Sequence, residues 1–222
     1  MVPLREAGDA MARAVALAPQ HGAGTLAWVR SAARIEAAVV LEPEWTLAAA
    51  RPALYAAASA LADALAAFGP PEVPLTFRWP ARVAINGGEI GGARIAWPKG
   101  CAEDAVPDWL VVGVAARVSF PQGWEPGHGL QQTALDEEGW DPTEVSAAEL
   151  TAAWARHLMA GLAEWQRGGP TGGFRRMAER FLARLEQDEA AGRHGLDPAT
   201  GDLVTERDGA RRQHSLLEAL AG

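Results

Sequence analysis

Lysine is almost absent from this chain of 222 residues: of its 20 basic residues, nineteen are arginines and only Lys99 is a lysine. Chemistry that needs an ammonium group, as Schiff base or point-charge phosphate ligand, must therefore use Lys99. Cysteine is equally scarce. Cys101 stands alone, which rules out an internal disulfide and fits a reducing compartment. No apolar run approaches the roughly 20 residues that cross a bilayer, because Arg51, Pro52 and Asp63 interrupt the alanine-rich stretches. The opening "MVPLREAGDAMARAVALAPQ" shows no basic leader followed by an apolar segment, so a soluble, cytoplasmic protein without a membrane partner is expected.

Clustered positive charge is missing too. The net charge is -8, and residues 99–150 supply all of it, with ten acidic residues against Lys99 and Arg117. A phosphate backbone needs grouped cations, so a nucleic-acid partner is excluded. The histidines His21, His128, His157, His194 and His214 show no metal-ligand spacing, and no metal site is expected among them.

What is present is punctuation and periodicity. Leu4 to Leu17 reads as a helix ended by Pro19, Gly22 and Gly24. "TLAWVR" and "RIEAAVVLEPE" read as strands, the second with Ile35, Val39 and Leu41 on one face. Thr46 is placed to cap a long apolar helix running to Phe68 and stopped by Gly69. Asn86-Gly87 between "RVAI" and "ARIAWP" is a hairpin signal, because a type I′ turn needs positive φ at both central residues. "WLVVGVAARVSF" is apolar enough for a central strand. Ser146 with Glu149 forms a capping box for a helix to about Gln166, another helix spans Phe174 to Glu189, and "GLDPATGDLVTERDG" reads as two short strands around Gly201. This order predicts an α+β fold: a mainly antiparallel mixed sheet packed with helices, residues 1–190, followed by a small C-terminal β appendage, residues 191–222.

Six segments, in order, resemble the biotin protein ligase and lipoate ligase A/B superfamily. "GAGTLAW" resembles the glycine-rich loop ending in Trp28. "FRWPARVAINGGEIGG" is similar to the "KWPND…NGKKIAGI" hairpin, and "WLVVGVAARVSF" to "VGIGINVN". "QQTALDEEG" is similar to "ATSLxEEG", "GFRRMAERFLARL" to the last catalytic-domain helix, and "GLDPATGDLVTERDG" to the start of the C-terminal appendage. The resemblance implies a pocket for biotin, lipoate or an octanoyl-type acid, activation by ATP with magnesium, and acyl transfer to a carrier-domain lysine. It places Gly22, Gly24, Trp28, Trp79, Gly91, Gly92 and Arg117 at a ligand site, and a sheet edge as a possible homodimer surface.

The chemistry-bearing positions depart from that pattern. Arg78 stands for the first motif lysine and Glu89 for the second, while Ala81 and Arg82 replace the asparagine and aspartate. A carboxylate about 4 Å from an anionic oxygen costs on the order of 4 kcal/mol at an effective dielectric near 20, where a lysine would gain a similar amount. Two replacements are conceivable. Arg78 and Arg82, four apart on an extended segment and joined by Arg94 or Arg117, make an anion clamp or a solvated arginine ladder. Lys99 and Cys101 in "PKGCAED" make a thiol acyl-transfer pair or an incidental loop. Catalytic candidates are thus Arg78, Arg82, Glu89, Lys99 and Cys101, and two readings stand: a divergent ligase-like protein that binds an acyl or biotin-like acid, with transfer left open, or a non-catalytic binding or regulatory protein on the same fold.

Overall fold

The computed structural model describes residues 1–124, 129, 131–141, 143, 144, 146–186 and 192–221. Seven strands form the main sheet: β1 (Val2–Leu4), β2 (Leu26–Val29), β3 (Arg34–Leu41), β4 (Leu75–Arg78), β5 (Arg82–Ile85), β6 (Gly88–Ala96) and β7 (Leu110–Arg117). Their order is β1-β2-β3-β7-β6-β5-β4, parallel only between β1 and β2. The α+β fold with a mainly antiparallel sheet is therefore found as expected.

Helices cover the two faces unequally, and this asymmetry creates the site. Ile35, Ala37 and Val39 of β3, with Val112 and Val114 of β7, join one core with α3 (Ala53–Phe68) and α4 (Ala147–Leu182). Ala38, Val40 and Val111 point the other way, onto α1 (Ala10–His21). Burial on both sides explains why β3 and β7 read as continuous apolar runs. However, α1 contacts β2, β3 and β7.

Several boundaries differ from the sequence reading. The first helix starts at Ala10, not Leu4, since Leu4 pairs in β1 and Asp9 caps the helix by accepting from the Ala12 amide at 2.8 Å. Pro19 lies inside α1, and Gly22 ends it at φ 62°. The helix expected from Thr46 to Phe68 is two: α2 (Leu47–Ala50) and α3, divided at Arg51-Pro52, where proline lacks the amide to continue the ladder. Thr46 makes no side-chain cap, whereas Gly69 does close α3. The helices expected around Leu150 and Phe174 are one element broken at Gly169, whose φ of 69° is non-helical. The predicted capping box is present, with Ser146 Oγ accepting from the Glu149 amide and the Glu149 carboxylate accepting from the Ser146 amide. So is the Asn86-Gly87 turn, with φ of 48° and 81°.

The C-terminal sheet has three strands, β8 (Arg193–Leu196), β9 (Leu203–Arg207) and β10 (Ala210–His214), followed by α5 (Leu216–Ala221). "ARRQH" of β10 was not anticipated, because all five of its residues are exposed and carry no apolar alternation. Leu203 and Leu216 bury themselves in the main core. Tyr55 Oη of α3 donates to the Gly201 carbonyl at 2.6 Å and accepts from Trp79 Nε1 at 3.0 Å. The expected boundary at 190/191, the end of the helix expected to reach Glu189, and His128 lie outside the described residues. Among the described residues no helix is long and apolar enough to cross a membrane.

Candidate functional site

Cross-strand register assembles the charged residues. Arg78, Arg82, Gly92, Ala115 and Glu36 are successive partners across β4, β5, β6, β7 and β3. Directly paired residues share a face, and Glu36 lies on the side of α1, since its Oε1 accepts from the Ala10 amide at 2.8 Å. Arg94, paired with Gly113, and Arg117, paired with Arg34, belong to that same face. Buried Gly92 and half-buried Ala115 thus mark a shallow trough of the sheet between α1 and the β4–β5 hairpin, with guanidinium groups along its margins. Arg78 and Arg82 do share a face, but as opposite partners in a hairpin instead of along one extended segment.

The arginines are already engaged. Arg82 Nη1 lies 3.3 Å from Glu89 Oε1. Arg78 donates to Glu186 Oε2 at 2.8 Å and to the Gly87 carbonyl at 2.6 Å. Arg117 donates to the Thr133 carbonyl at 2.8 Å and to Gln132 Oε1 at 3.1 Å, with its guanidinium 4.9 Å from the Phe120 ring centroid. Glu36 is buried between Arg34, at 2.9 Å, and Arg94, at 3.8 Å. Arg94 is the loosest of these, half exposed with its partner at the limit of contact. Arg34 and Glu36 are neighbours that sequence reading missed, although their i,i+2 spacing on a strand puts both on one face.

Gly92 on this face and Gly91 on the core face are both required by the sheet itself. A Cβ on Gly92 would stand 2.4 Å from the Ala81 carbonyl oxygen, and one on Gly91 would stand 2.0 Å from that of Ala115 at a φ of +153°. Their first role is to let β5, β6 and β7 approach around the bulge at Val83/Ala84. The backbone of Ala81 and Arg82 thus covers Gly92, which is buried, and leaves half-buried Ala115 as the small residue on this face.

Other predicted residues are not brought here. Gly24 donates to the Val40 carbonyl, so the Gly22–Gly24 turn sits at the opposite end of β3 from Arg34, about 20 Å away at strand rise. His21 ends α1 beside that turn. Trp28 pairs with Ala37 and packs on the other face, against the α3–α4 core, with Nε1 buried and without a partner among the described residues. Trp79 also lies on the core side, tied to Tyr55 and 6.3 Å from the His214 ring. Lys99 and Cys101 follow the far end of β6, where Ala96 pairs with Val111. Lys99 is exposed, and Cys101 is half-buried with its Sγ 3.6 Å from the Ala102 carbonyl. Trp154 and Trp165 are buried in the core, whereas Trp97 and Trp109 are only partly buried against it.

No set of three or more His, Cys, Asp or Glu converges on a metal position among the described residues. Arg78, Arg82 and Arg117 are paired to carboxylates or carbonyls, so a triphosphate would have to displace those partners to reach them.

Comparison with known proteins agrees with this architecture. Over residues 1–183 the sequence matches the Biotin/lipoate A/B protein ligase family. It is 28% identical over 196 residues to a biotin–[acetyl-CoA-carboxylase] ligase of Paracoccus denitrificans, covering 87% of this chain and 72% of that one. A biotin protein ligase-like protein of unknown function from Silicibacter sp. TM1040 superposes with a TM-score of 0.81 at 26% identity, over 99% of this chain and 96% of that one. Biotin protein ligase from Aquifex aeolicus shares the fold, with a TM-score of 0.67 at 15% identity over 96% and 93% of the two chains. The match along 183 residues establishes that this chain belongs to the biotin/lipoate A/B protein ligase family.

Proposed function

We propose that this chain binds a small carboxylic acid of the biotin, lipoate or octanoate kind in the trough beside Arg94 and Ala115, and that it does so without activating the acid through ATP. The observation that carries this reading is the Arg82–Glu89 pair at 3.3 Å. A carboxylate lies where the family resemblance expects a lysine, and it neutralises a nearby guanidinium. Phosphate would meet repulsion from Glu89 and compete with Glu186 for Arg78. A single carboxylate asks less of the site. Arg94, weakly held by Glu36, supplies a charge-assisted donor for it, and half-buried Ala115 on the same face offers an apolar contact.

A second reading has its own support. The Paracoccus relative is a ligase, and the Arg82 and Glu89 side chains are 62% and 31% exposed, so their pairing is weak and open to displacement. In that case ATP with magnesium would displace Glu89 and the acyl group would pass to a carrier-domain lysine. Transfer through Cys101 receives no geometric support, since the thiol lies beyond the far end of β6 from Glu89.

Calorimetric titration with biotin, lipoate and octanoate, each with and without ATP and magnesium, separates the readings. Binding of one acid that is indifferent to nucleotide, and lost in Arg94→Ala, is expected. Binding that strengthens with ATP, with pyrophosphate released, would establish the working ligase. Unchanged acid binding in Arg94→Ala would dispose of the trough as drawn.

A further inference from the structure

A cavity lies at the opposite end and on the opposite face of the sheet. It measures about 550 Å³ and opens between the end of β3, the segment leading into α2, and the stretch of α4 before its break at Gly169. Leu41, Leu110 and Leu162 give it an apolar floor. Trp45 and Trp165 form an aromatic wall, edge to face with centroids 4.9 Å apart. Glu42 and Glu44 stand exposed at its margin, and neither is paired with a cation among the described residues. Glu42 accepts only the Ala23 amide, at 3.3 Å.

We propose that this groove is a second ligand site, for a small organic cation with an apolar body, such as a substituted ammonium or guanidinium compound. The volume suits one small molecule, within the roughly 300–1,000 Å³ of ligand pockets. The indole wall attracts a cation through its ring quadrupole while the leucines take the apolar body. Two unpaired carboxylates at the opening complete the charge complementarity and steer approach from solution. An acid is disfavoured by the same two carboxylates. The groove is therefore complementary in sign to the arginine-rimmed trough, and it does not depend on the reading given to that trough.

Benzyltrimethylammonium chloride is the probe, titrated into the full chain at low salt by calorimetry and by tryptophan fluorescence. Saturable binding is expected, at least fivefold tighter than for the uncharged benzyl alcohol and weakened as salt screens the carboxylates. Glu42→Gln with Glu44→Gln, both at exposed positions, should weaken it at least fivefold. Ala163→Trp, at an exposed groove position on α4, should abolish it by filling the space while leaving the melting temperature in place. Arg94→Ala should leave it unchanged. No saturable binding up to millimolar probe, equal affinity for benzyl alcohol, or undiminished binding in the double glutamine variant would each overturn the proposal.

Discussion

Glu89 reverses the charge at a position where the family resemblance expects a cation, and its effect is set by its neighbours. Its carboxylate is partnered by Arg82 at 3.3 Å, so Glu89→Lys would both remove an acceptor and set two cations side by side. The variant should bind ATP about tenfold more tightly than the parent, a modest gain because the site is solvent-accessible and screened. Isothermal titration checks this, and unchanged ATP affinity would show that the trough is not a nucleotide position. Tyr55 shows the opposite kind of residue. Burial pushes its phenol well above the ordinary tyrosine range, so it stays a neutral donor at every physiological pH. Tyr55→Phe leaves the Gly201 carbonyl and the Trp79 indole without their partner; a loss of about 1–3 kcal/mol in denaturant unfolding is expected.

At the level of elements, close approach and capping decide what the sequence tolerates. Gly91→Ala would drive a methyl to 2.0 Å from the Ala115 carbonyl oxygen, so β6 and β7 must separate. Overpacking of this kind costs about 1–3 kcal/mol, and the variant should lose amide protection in β6 before β3. The start of α4 is pH-sensitive in a defined direction. Hydrogen bonds from the Ser146 amide and hydroxyl hold Glu149 below its ordinary value of 4.5. A depressed carboxylate stabilises the fold above its unfolded pKa, and that contribution is lost as pH falls through the folded value. The Glu149 carboxyl should therefore titrate below 4.5 by NMR, and Ser146→Ala should move it back towards 4.5. Both the capping box and the Asn86-Gly87 hairpin were legible in sequence, because their chemistry is contained within four consecutive residues. The break at Arg51-Pro52 was legible only in part: the proline was plain, but Arg51 is 2% exposed and paired with Glu103 at 2.6 Å, a partner 52 positions away.

For the whole molecule, the core crosses the expected domain boundary. Leu203 and Leu216 bury themselves beside α3 residues, so the chain should unfold in one cooperative transition seen alike by fluorescence and circular dichroism. Residues 1–190 alone should melt at a lower temperature, because truncation uncovers apolar surface around Tyr55 and Trp79. Two separate transitions in the full chain would mean that the appendage is energetically independent. The sequence by itself determined the class of fold, the alternation of strands and helices, and the family, since local periodicity, turn chemistry and motif order are properties of neighbouring residues. It also determined that lysine chemistry is confined to Lys99. Tertiary structure alone decided which charges meet. Register across five strands gathered Arg78, Arg82, Glu89, Arg94, Arg117 and Glu36 and paired them, and it sent Trp28 and Trp79 to the other face. Pairing between strands far apart in the chain depends on the closure of the whole sheet, which no single segment encodes.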